Sequence, residues 1–250
     1  GNSSIRMIYD GTVAHDNGEA STDRYYTTSK INEAANNNMY VGYMYTSGQG
    51  HGLGTNSTIK SANDSFYTSK IASYASYIDT SQGFCGDRST LNNLSGVGTG
   101  TISTYCKGYL RASTNTPSLK CENLSDYYTV SGASTGNKAL TYPIGLITAD
   151  EVMFSGSSVG VFNGFYNYQK STPNAYLTIG NYYWTMTPSG YYNPFGFTYW
   201  HSSVFSVYSS GGIDDSHTDA TYGLRPVISL KNPLKFTGNG TKNNPYVPSL

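Results

Sequence analysis

Between Asn181 and Leu230 three strand-like runs follow one another closely: "NYYWTMTP", "HSSVFSVYSSGGI" and "YGLRPVISL". Val, Ile, Phe, Tyr, Trp and Thr suit a pleated, half-buried surface, and the Pro, Ser-Gly-Gly and Asp-rich punctuation marks turns. Short strands joined by short turns pair antiparallel. Strands are therefore expected to dominate the second half of the chain. The first strand of the set is expected to stop at Pro188 and the last to run unbroken through Arg225.

Helical signals are few. Ser57 to Ile78 carries Tyr67, Ile71, Tyr74 and Ile78 at helical spacing, with Asn56 or Ser57 as cap. Further on, "YPIGLIT" is an apolar strand candidate, and Thr148 with Glu151 three residues later predicts a capping box for a short helix ended by Gly156. "IRMIY" (Ile5 to Tyr9) and "MYVGYMY" (Met39 to Tyr45) predict further strands. "SGQGHGLGTNST" is a Gly-rich loop without the Lys-Ser/Thr of a phosphate loop. Phe84 to Lys120 predicts irregular loop and short strands, Val159 to Ile179 a loop-rich insertion, and "KFTGNGTKNNPYVPSL" a terminal hairpin or tail. Few helices with many short strands predict an α+β fold with small antiparallel sheets. No repeat and no linker is visible, so residues 1–250 are expected to form a single domain. Gly1-Asn2-Ser3 looks like a cloning scar, with residues 1–4 outside the domain and a native N-terminal anchor expected to have been removed.

Only 12% of residues are charged, the formal net charge is zero, and no basic run occurs, which argues against a nucleic-acid partner. No run of about 18 apolar residues exists, so no membrane span is expected in this chain. Tyr at 25 residues and Gly at 28, with abundant Ser, Thr and Asn, fit a secreted or surface-displayed β-rich protein, because Tyr supplies rigid contact area at small entropic cost. Of the three cysteines, Cys85 and Cys121 lie beside loops and are expected to pair, with Cys106 a buried free thiol.

Enzyme signatures are missing. His15, His51, His201 and His217 fall in no HExxH motif, and there is no GxSxG elbow. Asp150 and Glu151 are neighbours on a short helix and are expected to serve a cap and a buried ion pair. Arg225, inside an apolar strand, needs a partner, for which Asp150 or Glu151 is the candidate. "GGIDDSHTD" is oxygen-rich but lacks an EF-hand's spacing, so a solvated loop is expected and no metal or cofactor. Tyr191 to Tyr222 is different. Tyr191, Tyr192, Phe195, Phe197, Tyr199, Trp200, Phe205, Tyr208 and Tyr222 are interleaved there with Ser, Gly, Asn, Asp and His, while Lys, Arg, Glu, Gln and Met are absent. Aromatics clustered on exposed loops mark an interaction surface.

"ALTYPIGLITADEVMFSG", "YYWTMTPSG", "VYSSGGI", "YGLRPVISL" and "GNGTKNNPYV", in that order, resemble the target proteins of diversity-generating retroelements in gut Firmicutes and their phages, and "IRMIYDGTVAHDNG" and "FCGDRS" resemble their N-terminal half. The likeness runs from about Ile5 to Val247. It implies a C-type-lectin-like fold of the formylglycine-generating-enzyme subtype, often on exported pilin-like proteins with an N-terminal helix before the position of Ile5. It also implies adenine-directed variation: codons such as AAC, changed at their first two bases, reach Tyr, Phe, Ser, His, Asp, Asn and Gly but not Lys, Glu, Gln, Met or Trp. The scaffold would then include Trp184, Val207, Tyr208, Gly211, Ile213, Gly223, Leu224, Arg225 and Pro226, and Trp200 would be an invariant scaffold position. The variable patch would be Tyr191, Tyr192, Asn193, Phe195, Phe197, Tyr199, His201, Ser203, Ser206, Asp214, Asp215, Ser216, His217, Asp219 and Tyr222, all facing outward together. This chain has no cysteine after Cys121, so the catalytic cysteines of formylglycine-generating enzymes have no counterpart.

The function expected is therefore non-enzymatic: a surface-displayed, pilus-associated adhesin whose patch binds a protein or glycan on another cell or phage. The alternatives are a phage receptor-binding protein, a structural pilin subunit packing the patch on its neighbour, and a carbohydrate-active or modifying enzyme.

Overall fold

A computed structural model describes residues 4–91, 103–156, 176–193, 200–232 and 234–249. The strands among them are β1 (Ile5–Ile8), β2 (Thr27–Ser29), β3 (Met44–Tyr45), β4 (Thr55–Asn56), β5 (Phe84–Cys85), β6 (Thr104–Tyr105), β7 (Tyr127–Tyr128), β8 (Tyr183–Tyr192), β9 (His201–Val207), β10 (Ile213–His217), β11 (Tyr222–Leu224), β12 (Val227–Leu230), β13 (Lys235–Thr237) and β14 (Val247–Ser249). The α-helices are α1 (Thr58–Phe66), α2 (Lys107–Thr114) and α3 (Ala149–Phe154). The protein is mixed α+β, dominated by small sheets, as expected.

The central sheet runs β10-β9-β8-β11-β2, with β6 also paired to β8. All its pairings are antiparallel except β11 with β8. β8 is buried along its whole length because both of its faces are covered. Its polar side chains are accordingly satisfied: Thr185 Oγ1 donates to the Phe205 carbonyl at 2.7 Å, Thr187 Oγ1 accepts from Ala149 N at 2.9 Å, and the Trp184 indole donates to the Ser29 carbonyl at 2.9 Å. Pro188 does not end this strand. It sits at a shift of register against β9, where its missing N–H leaves no gap in the ladder. Gly190 has φ +153°, and a Cβ there would lie 2.4 Å from the Thr104 carbonyl, so the close approach of β6 requires glycine.

Several expected elements take other forms. The stretch "GGIDDSHTD", expected to be a solvated loop, holds β10 instead, because its backbone pairs antiparallel with β9. Met39 to Tyr45 is mostly a 3₁₀ turn, Asn38–Val41, capped by Asn37, followed by the two-residue β3. The helix beginning after Ser57 keeps α geometry only to Phe66; a π turn (Tyr67–Ile71) and a 3₁₀ segment (Ala72–Tyr77) follow. Those changes of pitch break the shared face, leaving Tyr67 and Ile78 buried but Tyr74 58% exposed. The stretch from Phe84 to Lys120 contains α2. "YPIGLIT" is a buried extended connection whose bridge to the sheets runs through Gly145 and Val227. "YGLRPVISL" divides at Arg225-Pro226 into β11 and β12. The capping box at Thr148 and Glu151, the Cys85–Cys121 disulfide, the buried Cys106 thiol and the terminal hairpin of β13 with β14 all form as expected. Most of the expected 159–179 insertion lies outside the described residues; within its last part Leu177 and Ile179 are buried in the core.

Arg225 is fully buried, and its partner is neither Asp150 nor Glu151. It pairs with Asp10 at 2.6 Å, donates to the Tyr9 carbonyl at 2.9 Å and lies over the Tyr183 ring. Asp10 also receives two hydrogen bonds from the buried Arg24. Asp150 instead holds Arg111, and Glu151 holds Arg6. No helix among the described residues is long and apolar enough to cross a membrane.

Candidate functional site

The segment with the mixed aromatic and polar composition occupies β8, β9 and β10, the edge half of the central sheet. Directly opposed residues share a face. His201, Ser203, Phe205 and Val207 therefore share one with His217, Asp215 and Ile213, while Ser206 shares the other with Asp214 and Trp184. The first face meets α2, whose Tyr109 packs on Tyr105 of β6 at 4.3 Å, and Tyr105 packs on Tyr192 at 4.7 Å. The second meets the N-terminal half, where Tyr191 donates to the Asn36 carbonyl, Ser202 to the Asn37 carbonyl and Trp184 to the Ser29 carbonyl.

The candidate positions consequently do not all face outward as one patch. Tyr191, Tyr192, Ser203, Ser206 and Ser216 are buried. Asn193, His201, Asp214, Asp215 and Tyr222 are half-buried, and His217 and Asp219 are exposed. Phe195, Phe197 and Tyr199 lie outside the described residues. The scaffold positions Trp184, Val207, Gly211, Ile213, Gly223, Leu224, Arg225 and Pro226 are buried, as strand alternation predicts, Tyr208 is half-buried, and Trp200 is exposed.

Two groups result, at opposite ends of β9, which spans roughly 20 Å at the usual rise per residue. At the end where β8 passes to β9, the rings of His201 and His217 stack at 3.8 Å, and Trp200, 42% exposed, stacks on Tyr191 at 6.0 Å. Asp219 is exposed just beyond β10. Behind this rim, Tyr192 Oη donates to Asp215 Oδ2, and the backbone N–H of Asp215 donates to Asp214 Oδ1 at 2.8 Å. At the other end Tyr182 meets Tyr208 edge-on at 4.6 Å and stacks on Tyr222 at 5.1 Å, and Tyr222 leans on Trp184 at 4.9 Å. Ser206 and Ser216 exchange a hydroxyl hydrogen bond at 3.0 Å between the two ends.

The electrostatics follow from burial. Desolvation, followed by the neighbouring Asp215, lifts the Asp214 carboxyl to about 7. Desolvation also raises Asp215, against the hydrogen bonds of Tyr192 and Ser203 that favour its ionised form. Tyr192 and Tyr208 are raised by burial, and Tyr109 is pushed up to about 12. His201 is lowered by burial and by the adjacent His217. This end thus offers aromatic rings, hydroxyls and imidazoles, groups that stack and hydrogen-bond, with the Asp219 side chain exposed beside them. Among the described residues no group of three or more His, Cys, Asp or Glu is arranged to hold a metal ion.

Tyr105, Tyr109 and Tyr182 were not among the candidates because they lie outside the contiguous segment. Tyr105 ends β6 and Tyr109 lies in α2, so their contact comes from the turn between strand and helix and not from a periodic pattern.

No protein-family model matches the chain, no curated protein matches it, and no solved structure matches it.

Proposed function

We propose that this chain is an extracellular ligand-recognition protein of the kind varied by diversity-generating retroelements, with a C-type-lectin-like fold, displayed on a bacterial surface as a pilus-associated adhesin. The observation that carries the reading is the rim of exposed Trp200, His217 and Asp219 around the half-buried His201, set on strands that are otherwise mostly buried. Aromatic rings held on a rigid sheet lose little entropy on binding, and small polar neighbours adapt the hydrogen bonds. The ligand class this favours is a neutral, hydroxyl-rich or aromatic surface, a glycan or protein on another cell or phage. A binding role is supported over an enzymatic one by the engagement of Asp215 with Tyr192 and of Asp214 with the Asp215 backbone.

The test is binding of the labelled protein to a glycan array and to intact gut bacterial cells. The double substitution Trp200→Ala with His217→Ala should remove the signal while the melting temperature stays within about 2 °C, as for exposed positions generally. Unchanged binding, or a large fall in melting temperature, would assign these rings to packing instead.

A further inference from the structure

Away from the rim, two cavities of about 240 and 260 Å³ lie side by side against β1 and α3. They share Arg6, Leu119 and Glu151 in their walls. The Arg6–Glu151 ion pair, at 2.8 Å, thus borders both. One chamber is the more polar of the two, with Asp87, Arg111, Asp150 and Ser229 among its lining residues. The other is apolar, with Met7, Ile8, Ile147, Phe154 and Leu177.

Charges in the polar chamber are unevenly matched. Arg111 is held by Asp150 through bonds of 2.7 and 3.0 Å, and Arg6 by Glu151. Asp87, only 4% exposed, accepts Ser89 N on Oδ1 at 2.9 Å, but its Oδ2 has no hydrogen-bond donor; the nearest cation, Arg111 Nη1, stands at 3.9 Å, beyond bonding range. Ser229 Oγ, in the same chamber, is also buried without a partner. Lys120 completes the lining from an exposed position, where water screens it. A buried carboxylate oxygen without a donor is costly, and a ligand that supplies one gains what the protein alone leaves unmet.

We propose that this two-chambered cleft binds a small amphiphilic cation: a primary ammonium beside Asp87 and Ser229, carried on an apolar stem that lies between Met7, Ile147 and Phe154. An ammonium supplies the donor that each of these oxygens lacks, and the stem suits the apolar wall. The site is independent of the rim.

Isothermal titration of the full chain with hexylammonium, hexanoate and ethylammonium tests it. Hexylammonium should bind, hexanoate should not, and ethylammonium should be weaker by at least about 10-fold, since each buried methylene contributes to affinity. Asp87→Asn should weaken hexylammonium by about 10-fold or more, the usual worth of a charge-assisted hydrogen bond. Phe154→Ala, at a position 57% exposed and so safe for folding, should narrow the gap between the hexyl and ethyl compounds. Equal binding of hexanoate, no dependence on stem length, or full affinity in a natively folded Asp87→Asn chain would each overturn the proposal. Should Asp87→Asn not fold, the three ligands on the unaltered chain and the Phe154→Ala variant still decide it.

Discussion

Two buried guanidiniums, Arg24 and Arg225, converge on a single carboxylate, Asp10. Burying a cation is costly unless it is paired, and removing the partner costs more than the pair itself contributes. Asp10→Asn is therefore expected to destabilise the fold by about 3 kcal/mol in denaturant unfolding, whereas Asp16→Asn, at an exposed position, should stay within about 0.5 kcal/mol. Asp214 gives a residue-scale prediction with pH. Its folded pKa, about 7, lies above the unfolded value, so between about pH 4 and 7 the folded state holds the extra proton. That contribution to stability is complete below about pH 4 and is lost as pH rises to 7. Glu19, lowered to about 2 chiefly by hydrogen bonding, acts in the opposite sense and only as pH falls below about 4.5. Melting curves at pH 5 and 7.5 should show a fall in stability at the higher pH that Asp214→Asn diminishes; an unchanged difference would place the titration elsewhere.

At the scale of elements, the capping box is the clearest local device. Thr148 Oγ1 accepts from Glu151 N at 3.1 Å, Glu151 Oε2 accepts from Thr148 N at 2.8 Å, and Glu151 Oε1 reaches Arg6. Thr148→Ala should cost about 1 kcal/mol in equilibrium unfolding, and no measurable loss would show that α3 is held by packing alone. This cap was legible because its residues sit within one turn of each other. So was the inward scaffold of Trp184, Val207, Ile213 and Leu224, whose side chains alternate with polar ones, but β10 was not, because the polar run "GGIDDSHTD" reads as a solvated loop. The rest was not. α2 buries Gly108 and Ala112, residues too small to write an apolar stripe. The π turn after Phe66 alters helical pitch without any Pro or Gly to announce it. β8 continues past Pro188 because the register shift that tolerates the proline is made by β9. Asp10, the partner of Arg225, is 215 residues away, and only the closed fold brings them together.

At the scale of the molecule, the segment that looked like one outward patch is a three-strand edge of the central sheet covered on both faces, with Trp200, His217 and Asp219 exposed together at one rim. Candidate positions split between faces because each β-strand sends alternate side chains opposite ways. The N-terminal half covers one face, with the Asn36 and Asn37 carbonyls receiving Tyr191 and Ser202. The disulfide between Cys85 and Cys121 ties the segment before β6 to the one after α2, whose Tyr109 packs over the other face. If retroelement variation acts on this architecture, it should alter rim positions and leave the scaffold untouched. Sequencing the gene with its flanking DNA tests this most directly. The account predicts a near-copy of the segment encoding residues 184–230 beside a reverse transcriptase, differing only at adenines, with the differences in codons such as those of His201, His217 and Asp219. No such copy, or differences falling in the codons of Trp184, Val207, Ile213 and Leu224, would contradict it.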